Sequence, residues 1–110
     1  MNEVFLEGVI VSVEKPAAAD TNNHLVYQLR MTHRNRQSQL KQELFTVNAW
    51  NRLADWAEKN IGPGIPVFVK GYLTQRSHGG AAATEVTASR FVILQTMPRA
   101  EEAPAILSNG

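Results

Sequence analysis

One stretch constrains this chain more than any other: ELFTVNAWNRLADWAEKNIGPGIPVFVKGYLTQR, residues 43–76. Residues 44–50 are rich in β-branched and aromatic side chains, the composition of a strand. From Asn51 to Asn60 the spacing switches to helical, with Leu53, Trp56, Ala57 and Ile61 at three- and four-residue steps. Gly62, Pro63 and Gly64 stop the helix, glycine tolerating a left-handed cap and proline being unable to continue it. Residues 65–74 then alternate, with Ile65, Val67, Val69, Gly71 and Leu73 on one face. Strand, short helix, turn and strand in so short a span suit a small all-β barrel with its one helix between strands 3 and 4.

The flanks supply the other strands. Residues 3–14 form a long first strand around Gly8, with Val4 and Leu6 before the glycine and Val9, Val11 and Val13 sharing a face after it. A change of phase at a glycine predicts a bulge or bend, as when one strand serves two sides of a barrel. Residues 15–23 read as a loop. Residues 24–34 are a second strand, with Leu25, Tyr27, Leu29 and Met31 inward and Val26, Gln28, Arg30, Thr32 and Arg34 outward. Residues 35–42 read as a polar hairpin loop without glycine. The third strand turns Phe45, Val47 and Ala49 inward and Leu44, Thr46, Asn48 and Trp50 outward. A flexible tip over residues 77–83 and a fifth strand over residues 85–94 complete a five-stranded barrel. Residues 1–95 form one domain and residues 96–110 a short disordered tail.

At 110 residues and 12.2 kDa the chain holds one core and not two. No apolar run is long enough to cross a bilayer, so no membrane role is expected. Glu3 and Glu7 stand where a signal peptide needs positive charge. Cysteine is absent, which excludes disulfides and thiolate metal sites. His24, His33 and His78 are far apart and lack metal-ligand spacing, so neither metal nor cofactor is expected. No nucleophile elbow, His-Glu helix pair or phosphate loop is present, and the chain is not read as an enzyme.

Net charge is only +1, but its distribution is uneven. Between Asp20 and Glu43 there is no acid, while Arg30, Arg34, Arg36 and Lys41 all fall there. Arg52 follows Trp50, and Phe68, Lys70, Tyr72 and Arg76 alternate outward on the fourth strand. Cations interleaved with aromatics on three strands taken as neighbours suit single-stranded nucleic acid, where arginine and lysine follow phosphates and rings stack on bases. The candidate contact set is Arg30, Arg34, Arg36, Lys41, Trp50, Arg52, Lys70, Tyr72 and Arg76. A solvated arginine-rich loop is the plainer reading of the basic segment, and subunit burial the plainer reading of Phe68 and Tyr72. Trp56 is assigned to the core as a cap on the barrel's open end, and His33 is expected to point inward.

These residues carry a family likeness. MNEVFLEGVIV, NAWNRLADWAEKNIGPGIPVFVKGYLTQR and ATEVTASRFVIL resemble the opening, central and closing segments of bacterial single-stranded DNA-binding proteins, over about residues 1–95. The resemblance implies an oligonucleotide/oligosaccharide-binding barrel, a homodimer or homotetramer, and sequence-independent binding of single-stranded DNA, with RNA as a second candidate. It further implies work in replication, recombination or repair in the bacterial cytoplasm or nucleoid. Trp50 occupies one of the family's aromatic positions, whereas Leu44, Asn35 and His78 stand at or near others. The tail PRAEEAPAILSNG lacks the acidic, hydrophobic-tipped end through which the family recruits partners. These departures resemble the primosomal replication proteins, short dimeric barrels with few tryptophans. They open an alternative: an interaction module with weak or lost DNA binding.

Overall fold

A computed structural model describes residues 1–17 and 22–94. The expected tail and part of the first loop lie outside these. The elements are β1 (Val4–Glu14), β2 (His24–Arg34), β3 (Leu40–Trp50), α1 (Asn51–Asn60), β4 (Pro66–His78) and β5 (Ala81–Ile93). They close into a barrel in the order β1-β2-β3-β5-β4, with the helix between β3 and β4 as the spacing predicts. β3 and β5 pair in parallel at Val47↔Val86 and Asn48↔Thr87, and every other pair is antiparallel. Therefore β4 does not neighbour β3; β5 lies between them, and the outward residues of β4 meet those of β3 only across β5.

β1 does serve two sides of the barrel. Its first half pairs with β4 from Val4↔Gly71 to Val9↔Pro66, and its second with β2 from Val9↔Arg30 to Glu14↔Val26. The irregularity lies between Ile10 and Ser12 and not at Gly8. Alternation accordingly breaks at Val11, which is exposed, while Ile10 is buried and Val13 packs on the core. Val9, Val11 and Val13 do not share a face. Gly8 answers a different need: a Cβ there would stand 2.4 Å from the Arg30 carbonyl oxygen.

The core is Ile10, Leu25, Tyr27, Leu29, Val47, Val67, Val69, Val86 and Phe91, with Ala49, Ala54 and Ala57 filling the narrow places. Tyr27 is fully buried, and its hydroxyl donates to the Ile61 carbonyl at 3.1 Å. Burial, with the Glu58 charge second, pushes its pKa up to about 12.

Both long hairpins are more regular than their composition suggests. Asn35 Oδ1 accepts from the backbone N–H of Gln37 and Gln39, each at 2.9 Å, so an asparagine-built turn lets β3 begin at Leu40. The second hairpin closes on Gly79 and Gly80, whose positive φ values of 58° and 88° are those of a tight type I′ turn. β4 and β5 pair up to His78↔Ala81, so the expected flexible tip is two residues long. After α1 it is Gly64, with φ of 91°, that turns left-handed, in a Gly62–Ile65 turn with Pro63 at its first corner. Gly62 has no positive φ.

Candidate nucleic-acid interface

The register of the β2–β3 hairpin fixes what stands beside Trp50. His24↔Trp50, Val26↔Asn48, Gln28↔Thr46, Arg30↔Leu44, Thr32↔Gln42 and Arg34↔Leu40 face one another outside the barrel. At the barrel end of this row the His24 ring stacks on the Trp50 indole, centroids 3.8 Å apart and planes 3° from parallel. The Arg76 guanidinium carbon, brought by β4, lies over the same indole 5.4 Å from its centroid. The cleft around them measures about 470 Å³, and His24, Asn48, Trp50, Arg76, His78 and Glu85 are among its walls.

A polar network supports the ring stack. Asn48 was expected to face outward; it does, yet it is only 1% exposed because β5 and β4 close over it. Its Nδ2 donates to Glu85 Oε1 at 2.7 Å, which turns its Oδ1 toward His24. The His24 Nε2, 2.7 Å from that oxygen, must therefore carry the proton. His78 Nε2 donates to Glu85 Oε2 at 2.8 Å, and Arg76 Nε lies 3.5 Å from Glu85 Oε1. Burial pushes the Glu85 carboxyl up, but the bonds from Asn48 and His78 and the charges of His78 and Arg76 outweigh it, holding the carboxyl below the usual Glu value. An ionised carboxylate thus sits beneath the cleft with its oxygens bonded, orienting cations instead of repelling a polyanion outright.

The residues expected to touch nucleic acid are distributed unevenly. Trp50 and Arg76 meet in the cleft, and Arg30 and Arg34 extend the same outer row along the hairpin. Arg34 Nη1 also donates to the Ser38 carbonyl at 2.7 Å, bracing the turn that carries Arg36. Lys41 stands opposite His33 and so faces away from that row. His33 keeps the inward side of the hairpin by register but is only half-buried there, with Nε2 2.6 Å from Glu43 Oε2, because it stands at the far end of β2. Lys70 lies between Phe5 and Arg90 on the β1–β4–β5 side, while Tyr72 stands opposite Thr87, which itself pairs with Asn48 of the cleft. Arg52 is on the first turn of α1, two residues beyond the cleft.

Trp56 does not cap the barrel. It is 41% exposed, and Ala54 and Ala57 provide the helix's buried contact instead. Sequence reasoning placed Asn48 on the outer face beside Trp50 but missed His24, His78 and Glu85 as parts of the site. The first was within reach, since a five-residue turn begun by Asn35 sets His24 against Trp50. Glu85 enters only through the β3–β5 pairing, which no local pattern announces.

Residues 1–97 match the sequence model of the Single-strand binding protein family. The chain belongs to that family. Among solved structures, a Plasmodium falciparum SSB in complex with ssDNA matches with a TM-score of 0.75 and 18% identity, covering 86% of this chain and 96% of that chain. At that identity the likeness is one of fold. No curated protein matches the chain. In this member the Trp50 indole already holds an imidazole and a guanidinium.

Proposed function

We propose that this chain binds single-stranded DNA without sequence preference and serves replication, recombination or repair in the cytoplasm, through the outer row of the β2–β3 hairpin and the cleft at its base. The observation that carries the reading is the stack of His24, Trp50 and Arg76 in an open cleft continuous with Arg30 and Arg34. An aromatic flanked by cations offers a base a π-face and its phosphates a charge, which favours unpaired strands over duplex. Membership in the Single-strand binding protein family supports the same reading.

Fluorescence anisotropy on labelled oligo-dT at low salt tests it. Saturable binding is expected, with oligo-U as the RNA arm. With about four phosphate contacts and a slope near −0.7 per contact, affinity should fall about fifty-fold between about 50 and about 200 mM salt. No binding at about 50 μM protein would reject it, far above the protein concentrations at which specific complexes form.

A second reading, an oligomeric interaction module with weak DNA binding like the primosomal replication proteins, is favoured by the covered state of Trp50. Self-association belongs to either reading. β1 pairs with β2 only from Val9 onward, leaving the 4–8 edge open on that side, and Phe5, 56% exposed, stacks on Phe68 beside it with centroids 6.1 Å apart. We propose a homodimer or homotetramer; a light-scattering mass equal to the 12.2 kDa monomer would reject it.

A further inference from the structure

α1 carries a surface that the cleft does not explain. Its buried side is Ala54 and Ala57. Diametrically opposite, at steps of four and three residues, lie Arg52, Trp56 and Lys59, all exposed. A half-exposed indole between two cations is an uncommon choice for a surface helix, where a single such ring adds area without core. The helix also carries two acids, Asp55 and Glu58, which would ordinarily cancel these cations. Both are engaged elsewhere. Asp55 Oδ1 accepts from Asn23 Nδ2 at 2.7 Å, and Glu58 takes Lys15 Nζ at 3.2 Å and Asn23 Nδ2 at 3.3 Å. The acids therefore lean toward the segment between β1 and β2, while among the described residues neither Arg52 nor Lys59 enters an ion pair.

The position of this stripe is as informative as its composition. Trp50 of the cleft directly precedes α1, and Asn51, with φ of 56°, swings the chain from strand into helix. Arg52 follows Trp50 by two residues, in the first turn of α1. From Arg52 to Lys59 the helix advances about 10 Å. A positive stripe with one aromatic, two residues along the chain from a cleft of the same character, fits a phosphate backbone with unpaired bases.

We infer that Arg52, Trp56 and Lys59 form a second contact for single-stranded nucleic acid, which takes the nucleotides next to those held at Trp50. The inference rests on the proposed function. It makes Trp56 a stacking residue for long strands only.

The test is anisotropy of the full chain with oligo-dT of about 6 and about 16 nucleotides, within the span one such barrel occupies. Trp56→Ala should weaken the longer oligonucleotide about 5- to 100-fold and leave the shorter unchanged. Trp56→Phe should recover most of that loss, and the unchanged short-strand binding excludes a folding defect. Lys59→Glu should act in the same direction and flatten the salt dependence of the longer oligonucleotide alone. Wild-type affinity for the longer strand in Trp56→Ala, with short-strand binding intact, would overturn the inference and leave the proposed function standing. A wild type that binds neither length would remove both. Unchanged DNA affinity with Trp56-dependent binding of an oligoglutamate peptide would assign the stripe to an acidic protein partner instead, and overturn the inference.

Discussion

The His24 imidazole lies flat on the Trp50 indole, 3.8 Å between centroids, and its Nε2 proton is spent on the buried Asn48 Oδ1. One ring thus both backs the candidate stacking residue and satisfies the network beneath it. His24→Ala should cost about 1–3 kcal/mol in chemical denaturation, since it strands the Asn48 acceptor. Trp50→Ala should instead act on binding, weakening oligo-dT by about 1–3 kcal/mol in anisotropy titrations. If Trp50→Ala melts the protein and leaves DNA affinity intact, the indole is structural and binding rests on the cations.

Arg76 is tied to Glu85 and lies over Trp50 before any strand arrives. Arg76→Ala should therefore reduce the salt slope of oligo-dT binding by about 0.7, one phosphate contact. A slope identical to wild type would mean that Arg76 keeps its protein partners in the complex.

Acid should dissolve the network under the cleft. Because the native Glu85 carboxyl is held below the usual Glu value near 4.3, its contribution is complete above that value and is lost as pH falls through the lower native one. Thermal melts between about pH 6 and about pH 3 should show Glu85→Gln losing part of the wild type's acid sensitivity. Parallel curves for the two proteins would contradict this.

Gly8 and Gly71 allow backbones to approach: an added Cβ would meet the Arg30 carbonyl oxygen at 2.4 Å and that of Thr87 at 2.2 Å. Either alanine variant should lose about 1–3 kcal/mol or more by overpacking, read as a lowered unfolding midpoint. Gly62→Ala, where nothing lies within 4 Å and φ is ordinary, is the matched control and should change little.

Asn51 holds a left-handed backbone at the exit of β3. Asn51→Gly should be tolerated, while Asn51→Val should cost about 1–2 kcal/mol, the penalty for a Cβ in that region. Equal melting temperatures for the two variants would show that the turn relaxes.

Much of the barrel was legible because its signals are local. The alternation of Leu25, Tyr27 and Leu29, the helical spacing from Asn51 to Asn60 and the stop at Gly62 and Pro63 each lie within a few residues of what they determine. The errors arose where distant segments decide. Trp56 matched an apolar helical stripe, yet Ala54, Ala57 and the half-buried Leu53 make the helix's contact with the core and the larger ring is left outside. Asn48 alternated outward correctly, but its burial depends on β5 and β4. The basic candidates were gathered onto one face because β4 was taken as the neighbour of β3. Insertion of β5 moves Lys70 to another side, and the length of β3 turns Lys41 away.

The division of β1 between two partners has a consequence for how the chain reaches this state. The β2–β3 hairpin joins near neighbours, down to Arg34↔Leu40, and can zip early with His24 already on Trp50. Val4↔Gly71 cannot form until β4 has been synthesised, and the β3–β5 bridge must wait for Val86 and Thr87. Arg76, His78 and Glu85 belong to that late half. A nascent chain released after α1 would thus display the ring pair over Asn48 but without Glu85, and the cleft comes into being only when the last two strands arrive.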